Sequence, residues 1–245
     1  FHTFEDSPGN IEGIGVSSLI EASDGNLYGT TLLGGTGGVG TIFKITTGGA
    51  FTVLYTFPTD STNNQPNGAL PNSLIEGSDG NFYGVTWSSG PIVNNSFTLG
   101  TIFKVTPTGT FTLLYSFSPL GPLYAPSGNS PISLLEGADG NFYGTALGSP
   151  YDNAAAKATG LGTIFSFTRG GVLTMLHNLA ADGSEGSSPQ AQLVQGPDGY
   201  FYGATGAFGY QYSVTQPPSA TNPGYGNVYK ISPSGNFQVL HTFTG

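Results

Sequence analysis

The feature of this chain that most constrains its fold is an internal repeat. Four similar lines run along it: SLIEASDGNLYGTT from Ser18, SLIEGSDGNFYGVT from Ser73, SLLEGADGNFYGTA from Ser133 and QLVQGPDGYFYGAT from Gln192. Each is followed by a variable stretch and then by a second shared line of the form GTIFKITTGGAFTVLYTF. The lines start roughly 55–60 residues apart, a spacing typical of propeller blades and other repeat arrays. We therefore expect one domain over residues 1–245, with repeats at about 18–72, 73–132, 133–191 and 192–245 and an extra strand with its connection in residues 1–17.

Each repeat predicts four short strands, here named a to d. In the first repeat they are Ser18–Glu21, Leu27–Thr31, Thr41–Thr46 and Phe51–Phe57. Apolar and polar residues alternate along the last of these, which is typical of a half-buried strand. Four antiparallel strands per repeat, arranged around an axis, is the plan of a β-propeller. We predict an all-β fold, a β-propeller-like array of four repeats with about four antiparallel strands each; a β-solenoid or a row of small sheets is the rival.

An Asp-Gly pair separates strands a and b in every repeat. Aspartate bonds backbone amides two residues on, and glycine accepts the positive φ of a tight turn. A calcium loop needs several oxygen ligands in a short span, whereas most of these turns carry one acid. We interpret the pairs as structural turns and expect neither metal nor cofactor. The residues are Asp24, Gly25, Asp79, Gly80, Asp139, Gly140, Asp198 and Gly199.

Other polar residues also recur once per repeat. Glutamate ends strand a at positions 21, 76 and 136, and lysine lies in strand c at positions 44, 104 and 230. Residues repeated in this way more often belong to a scaffold than to a catalytic pair of carboxylates. A glutamate–lysine contact would explain both series. Histidine replaces the tyrosine of strand d at His2, His177 and His241, which we interpret as half-buried rings rather than zinc ligands. We expect no enzymatic activity.

The composition limits the partners. The net charge is −9 with five basic residues, so the basic stripe of a nucleic-acid-binding protein is missing. No apolar run approaches the ~18 residues that span a membrane. Only 8% of the residues are charged. Such a neutral polar surface suits an extracellular protein that packs against copies of itself or against glycans.

The b–c connections differ among repeats and lengthen along the chain. Loops on a rigid scaffold are the usual place for function. Their exposed aromatic residues are candidates for ligand or subunit contact: Trp87, Tyr151, Tyr210, Tyr212 and Tyr225. Asn94 begins an N-glycosylation pattern, and a Ser/Thr/Pro-rich stretch is typical of O-glycosylation. Its candidate residues are Ser213, Thr215, Ser219 and Thr221.

The two ends of the chain share one phase of the repeat. His2-Thr3-Phe4 recurs as His241-Thr242-Phe243, so Phe1–Phe4 and Phe237–Phe243 both read as strand d. A closed ring of four four-stranded blades then has one strand too many. The chain is cut from a longer propeller, or the first strand is idle, or a strand completes a neighbour's sheet. The candidate assembly strands hold Phe1, His2, Thr3, Phe4, His241, Thr242 and Phe243.

The pattern SLIEGSDGNFYG followed by GTIFKVTPTGTFTLLYSF resembles the GloVer tandem repeat of bacterial extracellular proteins. The resemblance implies secretion or surface display, and it supplies no catalytic residue. The fourth copy departs most, with Gln195 for glutamate and Tyr200 for asparagine. We predict a non-enzymatic extracellular or cell-surface protein that assembles with itself, as a subunit of a head-to-tail filament. A carbohydrate-binding module using the aromatic loops is the alternative, and a glycan-active enzyme is third.

Overall fold

A computed structural model describes residues 3–4, 10–59, 67–93, 96–117, 129–147, 161–180, 184–206 and 226–243. Within these ranges all the regular secondary structure is β-strand, and the strands form four antiparallel sheets. The predicted all-β, propeller-like array of four-stranded repeats is therefore confirmed. The chain divides into two compact units, Phe1–Pro119 and Leu120–Gly245, each with two sheets.

The first unit holds the first two sheets, and in both the strands follow one another in chain order as a meander. The first sheet consists of β1 (Ile14–Glu21), β2 (Leu27–Leu33), β3 (Thr41–Ile45) and β4 (Phe51–Thr56). The second consists of β5 (Ala69–Glu76), β6 (Phe82–Val93), β8 (Thr101–Val105) and β9 (Phe111–Ser116), with β7 (Ser96–Thr98) paired to the end of β6.

The second unit repeats this plan. Its first sheet, the third of the chain, consists of β10 (Asn129–Glu136), β11 (Phe142–Leu147), β12 (Gly162–Phe167) and β13 (Leu173–Asn178). The fourth sheet consists of β14 (Val194–Gln195), β15 (Phe201–Thr205), β16 (Asn227–Ile231) and β17 (Phe237–Thr242). Strand a shrinks to two residues here, in the copy that departs most from the others.

Strand a is longer than predicted in the first three sheets. It begins at Ile14, Ala69 and Asn129, several residues before the predicted Ser-Leu-Ile-Glu segment. The added residues pair with the far end of strand b across a register shift. Pro71 and Pro131 lie at this shift. Proline is tolerated there because strand a is at the edge of its sheet and the bulge removes a ladder hydrogen bond.

A bulge also breaks the predicted alternation of strand d. In the first sheet Val53 pairs with Phe43, whereas Tyr55 pairs with Ile42, so Leu54 is the extra residue. The other three sheets repeat the shift at the equivalent place. An extra residue reverses the side-chain alternation beyond it. Both Leu54 and Tyr55 consequently pack against the core cluster that lies between the first two sheets.

The second b–c connection, which the variable sequence predicts to be a loop, is largely strand instead. Strand β6 continues to Val93, and Val93 pairs with Ser96 of β7. The β-branched Ile92 and Val93 favour this extended conformation. Among the described residues, no helix meets the length and apolarity that crossing a membrane demands.

Candidate functional site

Within each unit, the two sheets meet through two complementary faces. In the first unit one core cluster takes Ala22, Tyr28, Ile42 and Phe57 from the first sheet and Leu74, Phe82, Phe103 and Val105 from the second. We call the side of a sheet that packs on the following sheet its trailing face, and the side that packs on the preceding sheet its leading face.

Aromatic stacking fixes how the first two sheets meet. Tyr28 stacks on Phe82 with ring centroids 4.0 Å apart, and Tyr55 stacks on Phe111 at 4.1 Å with an angle of 9°. Phe57 is fully buried and meets Phe111 edge-on. Offset stacks and edge-on contacts of this kind are favourable beyond the apolar area that they bury. The contact is thus specific in geometry as well as apolar.

The third and fourth sheets meet in the same way within the second unit. Tyr143 stacks on Phe201 at 3.9 Å, as Tyr28 does on Phe82. His177 stacks on Phe237 at 4.1 Å with an angle of 5°, as Tyr55 does on Phe111. The Nε2 atom of His177 also lies 2.8 Å from Glu185 Oε2. A histidine therefore takes over the tyrosine's stacking role at this position.

The Asp-Gly turns hold the stacking tyrosines in place. Asp24 accepts hydrogen bonds from the Asn26 amide N–H at 3.0 Å, the Tyr28 hydroxyl at 2.9 Å and Lys44 Nζ at 3.0 Å. The tyrosine hydroxyl donates to the turn aspartate in the other three repeats as well, at 2.7–2.8 Å. The four turn glycines, Gly25, Gly80, Gly140 and Gly199, have φ between 74° and 79°. The turns of the first and third repeats therefore orient Tyr28 and Tyr143, the rings that stack on the second sheet of each unit.

These hydrogen bonds shift the acidity of the turn. Donation by the Asn26 side chain and amide, and by Lys44 and Tyr28, holds the pKa of Asp24 well below its ordinary value. Burial raises the pKa of Tyr28, and its bond to Asp24 acts in the same direction. The turn thus favours a charged aspartate and a neutral tyrosine over the whole neutral pH range.

A polar contact crosses between sheets beside the aromatic stacks. Glu76, at the end of strand a in the second sheet, accepts from Ser23 N at 2.7 Å and from Ser23 Oγ at 2.5 Å. Gln195 does the same in the fourth sheet, accepting from Ala138 N at 2.9 Å. Glu76 and Gln195 therefore each clamp the Asp-Gly turn of the preceding sheet.

Lys44, Glu76 and Glu136 have partners other than the glutamate–lysine contact that the sequence suggested. Lys44 pairs with Asp24 of its own sheet. Glu76 binds the serine of the preceding turn. Glu136, the glutamate of the third sheet, pairs with Arg169. The recurrence of the glutamate is visible in the sequence, but nothing in the pattern indicates that its side chain reaches across to the neighbouring sheet.

Two faces of the array are exposed at positions that are buried elsewhere. Leu19 in β1 is 54% exposed, whereas its equivalent Leu74 is 2% exposed, and Leu134 and Leu193 are also buried. Phe243, just after β17, is 46% exposed, whereas its equivalent Phe57 is fully buried. Leu240 is exposed too. The leading face of the first sheet and the trailing face of the fourth sheet therefore present apolar groups to solvent.

The predicted assembly residues lie beside these faces. Thr3 and Phe4 are outside any strand, and the Phe4 ring packs on Phe43 at 5.2 Å and on Phe51 at 5.4 Å. Thr242 ends β17, and the His241 ring is exposed rather than half-buried. Phe1 and His2 lie outside the described residues.

Of the aromatic loop candidates, the structure describes Trp87, whose side chain is 48% exposed on β6. No group of three or more His, Asp or Glu side chains that could hold a metal ion occurs within the described ranges. The other candidates for ligand contact and glycosylation fall outside the described residues: Asn94, Tyr151, Tyr210, Tyr212, Ser213, Thr215, Ser219, Thr221 and Tyr225.

Comparison with solved structures shows the fold. An α-L-arabinofuranosidase from Fusarium graminearum has a TM-score of 0.54 at 17% identity, over 96% of this chain and 68% of that chain. A xylan β-1,4-xylosidase from Bacillus halodurans has a TM-score of 0.50 at 15% identity, over 96% of this chain and 44% of that one.

An extracellular domain assigned to a hybrid two-component system of B. thetaiotaomicron has a TM-score of 0.50 at 16% identity. That match covers 93% of this chain but 24% of the other, so this chain spans about a quarter of its length. Likeness at such identities shows a shared fold and carries no chemistry.

At the level of sequence, no curated protein matches the chain. A profile of the Gloeobacter/Verrucomicrobia repeat does match it, over residues 16–245. That range takes in all four copies of the Asp-Gly line. The chain therefore belongs to the Gloeobacter/Verrucomicrobia repeat family, the family that its sequence pattern resembles.

Proposed function

We propose that this protein is a non-enzymatic structural module of the cell surface or extracellular space, whose copies join head to tail. The trailing face of the fourth sheet in one copy would dock on the leading face of the first sheet in the next. Because these two surfaces differ, the contact is heterologous and produces an open string or filament unless its rotation closes a ring.

The observation that carries the proposal is the exposure of Leu19 and Phe243. Their equivalents, Leu74 and Phe57, are buried together in the cluster between the first two sheets. The chain thus shows inside itself which surface each exposed face fits. An exposed apolar patch whose complement exists on the same molecule is a site for self-association.

The use made of the carboxylates supports a structural role. Asp24 and its equivalents anchor tyrosine rings, and Glu76 clamps a neighbouring turn. The low charge, 8% of residues, leaves little repulsion to oppose close stacking of copies. An extracellular location is supported by this neutral polar surface and by the extracellular domain among the structural neighbours.

Sedimentation velocity over a range of concentrations tests the proposal, together with negative-stain microscopy. We expect mass to grow with concentration and the particles to be linear. Leu19→Gln should weaken this growth, whereas Val172→Gln, at an apolar side chain that is also exposed but lies in the turn before β13, should leave it unchanged. A compact monomer at all concentrations would overturn the proposal and leave the faces to another protein or to further repeats.

A carbohydrate-binding role is the second candidate, and the exposure of Trp87 favours it. An indole ring presented at 48% exposure on an extended strand can stack on the apolar face of a sugar. Binding on a glycan array that is retained by Trp87→Phe and lost by Trp87→Ala would support this role. Equal signals from all three proteins would exclude Trp87 as the binding residue.

A further inference from the structure

We propose that Phe4 is an internal cap on the first sheet, occupying the place that Phe243 of a second copy takes when copies join. This inference rests on the proposed head-to-tail association and adds a step to it, in which Phe4 must leave the first sheet before a second copy docks. Before association, Phe4 covers two aromatic rings of the leading face. During association, Phe243 of the neighbouring copy displaces it.

The contact of Phe57 with the second sheet shows what a leading face accepts. The Phe57 ring lies 5.5 Å from Phe103 at an angle of 71°, and 5.6 Å from Phe111 at 83°. The two receiving rings are themselves 5.5 Å apart at 26°. These three rings form one unit of the contact between consecutive sheets.

Phe4 reproduces this unit on the first sheet. Its ring lies 5.2 Å from Phe43 at 58°, and 5.4 Å from Phe51 at 86°. Phe43 and Phe51 are 5.4 Å apart at 31°. Each separation matches its counterpart on the second sheet within a few tenths of an ångström. Phe4 therefore acts towards the first sheet as a preceding repeat would.

The sequence phase assigns the same role to Phe243. His2-Thr3-Phe4 and His241-Thr242-Phe243 align with Tyr55-Thr56-Phe57. The rings of His241 and Phe243 are 5.0 Å apart at 82°, and those of Tyr55 and Phe57 are 5.1 Å apart at 87°. Phe243 thus already has the side-chain arrangement of a docked trailing face, although 46% of it is exposed.

The backbone favours Phe243 as the permanent occupant. The Phe243 N–H donates to Gly226 O at 3.0 Å, as the Phe57 N–H donates to Gly40 O at 3.1 Å. This bond continues the sheet and holds the ring in position. Phe4 lies outside any strand. The Phe243 ring is thus already positioned before docking, which lowers the entropic cost of its binding to the first sheet.

The occupant is a second copy of this chain because its trailing face matches the cap in sequence and geometry. The surface around the cap is also suited to a repeat. Leu19 and Glu21 of β1 are both exposed, and their equivalents Leu74 and Glu76 contact the preceding sheet. Continuity with a contact already made twice inside the chain identifies the partner.

The test compares Phe4→Ala with Phe243→Ala in the full chain, by sedimentation velocity over a concentration series. Removing the cap should lower the concentration of half-association by about 3- to 10-fold, the range expected for loss of a competing aromatic contact. Phe243→Ala should raise it by roughly 10-fold or more. Phe4→Leu should fall near the parent, because Leu179 fills the equivalent place in the third repeat and is buried. Val172→Ala is the control for an exposed apolar side chain elsewhere.

The outcomes separate the cap from the proposed function. If Phe243→Ala weakens association but Phe4→Ala leaves it unchanged or weakens it as well, the cap is wrong and head-to-tail docking stands. If neither Phe243→Ala nor Leu19→Gln changes association, or if the parent and the Phe4→Ala protein are both monomeric at all concentrations, both ideas fail. A thermal melt of each variant confirms that the sheets remain folded, and the graded Phe4→Leu variant provides the comparison if Phe4→Ala melts early.

Discussion

Replacing Pro197 should tighten the association of copies, because the trailing face of the fourth sheet lacks one donor that the other faces have. Where two sheets meet, the last side chain of strand a in one sheet accepts a hydrogen bond from a backbone N–H of the preceding sheet. That N–H lies two positions after strand a of the preceding sheet ends: Glu76 accepts from Ser23, and Gln195 accepts from Ala138. Pro197 occupies that donor position in the fourth repeat. Proline has no N–H, so Glu21 of a docking copy finds no partner there.

The size of the gain follows from the contacts inside the chain. The Ser23 N–H lies 2.7 Å from Glu76 Oε2, and its hydroxyl lies 2.5 Å from Oε1. A hydrogen bond to a charged group contributes about 1.5–3 kcal/mol when shielded, and an exposed charge contact contributes less, about 0.2–1 kcal/mol. We take about 1 kcal/mol for the N–H, which is roughly fivefold in Kd. The hydroxyl adds a similar or smaller amount.

Sedimentation velocity of Pro197→Ala, Pro197→Ser and the parent chain measures this directly. We expect half-association concentrations to decrease in the order parent, then alanine, then serine, with a total gain of about 5- to 20-fold. Adding Glu21→Ala should remove the gain of both variants, because the acceptor is gone. A gain that persists without Glu21, or an unchanged association in Pro197→Ser, would refute the reasoning.

Three further predictions concern stability. A Cβ at Gly84 would collide with the Phe103 ring and the Ser73 carbonyl, so Gly84→Ala should cost about 3 kcal/mol and lower Tm. Gly48→Ala should be neutral, because the nearest atom to its added Cβ is Thr46 Oγ1 at 3.8 Å, and equal melting of the two variants would contradict this. Ser130 has φ 55° at the position where the first repeat has Gly15 at φ 70°, so Ser130→Gly should raise the free energy of unfolding by about 1 kcal/mol in a urea titration. Ser116→Gly, in the extended strand β9, should lower it. The pKa values of Asp24 and Asp139 are lowered, so their contribution to the free energy of unfolding is complete above about pH 4 and is lost as the pH falls through the folded pKa. We therefore expect Tm to fall below about pH 4, and to fall less steeply in Asp24→Asn.

The sequence alone determined the repeat, the four strands of each sheet and the Asp-Gly turns. These features are local: Asp24 bonds Asn26 two residues on, and Gly25 supplies the positive φ, without help from distant parts of the chain. The strand-a extension and the bulge at Leu54 were missed because they depend on pairing with a neighbouring strand. The family also followed from the pattern, and the family model matches residues 16–245, which hold all four copies of it.

Only the tertiary structure decided which copies of a repeated residue are buried. Leu19 and Leu74 occupy the same phase of nearly identical lines, yet one is exposed and the other is buried against the first sheet. The same holds for Phe243 and Phe57, and for Phe4, whose ring lies where a preceding repeat would place one. Burial depends on which surface lies opposite a side chain in space, and a residue's own line of sequence is the same whether or not that surface is there.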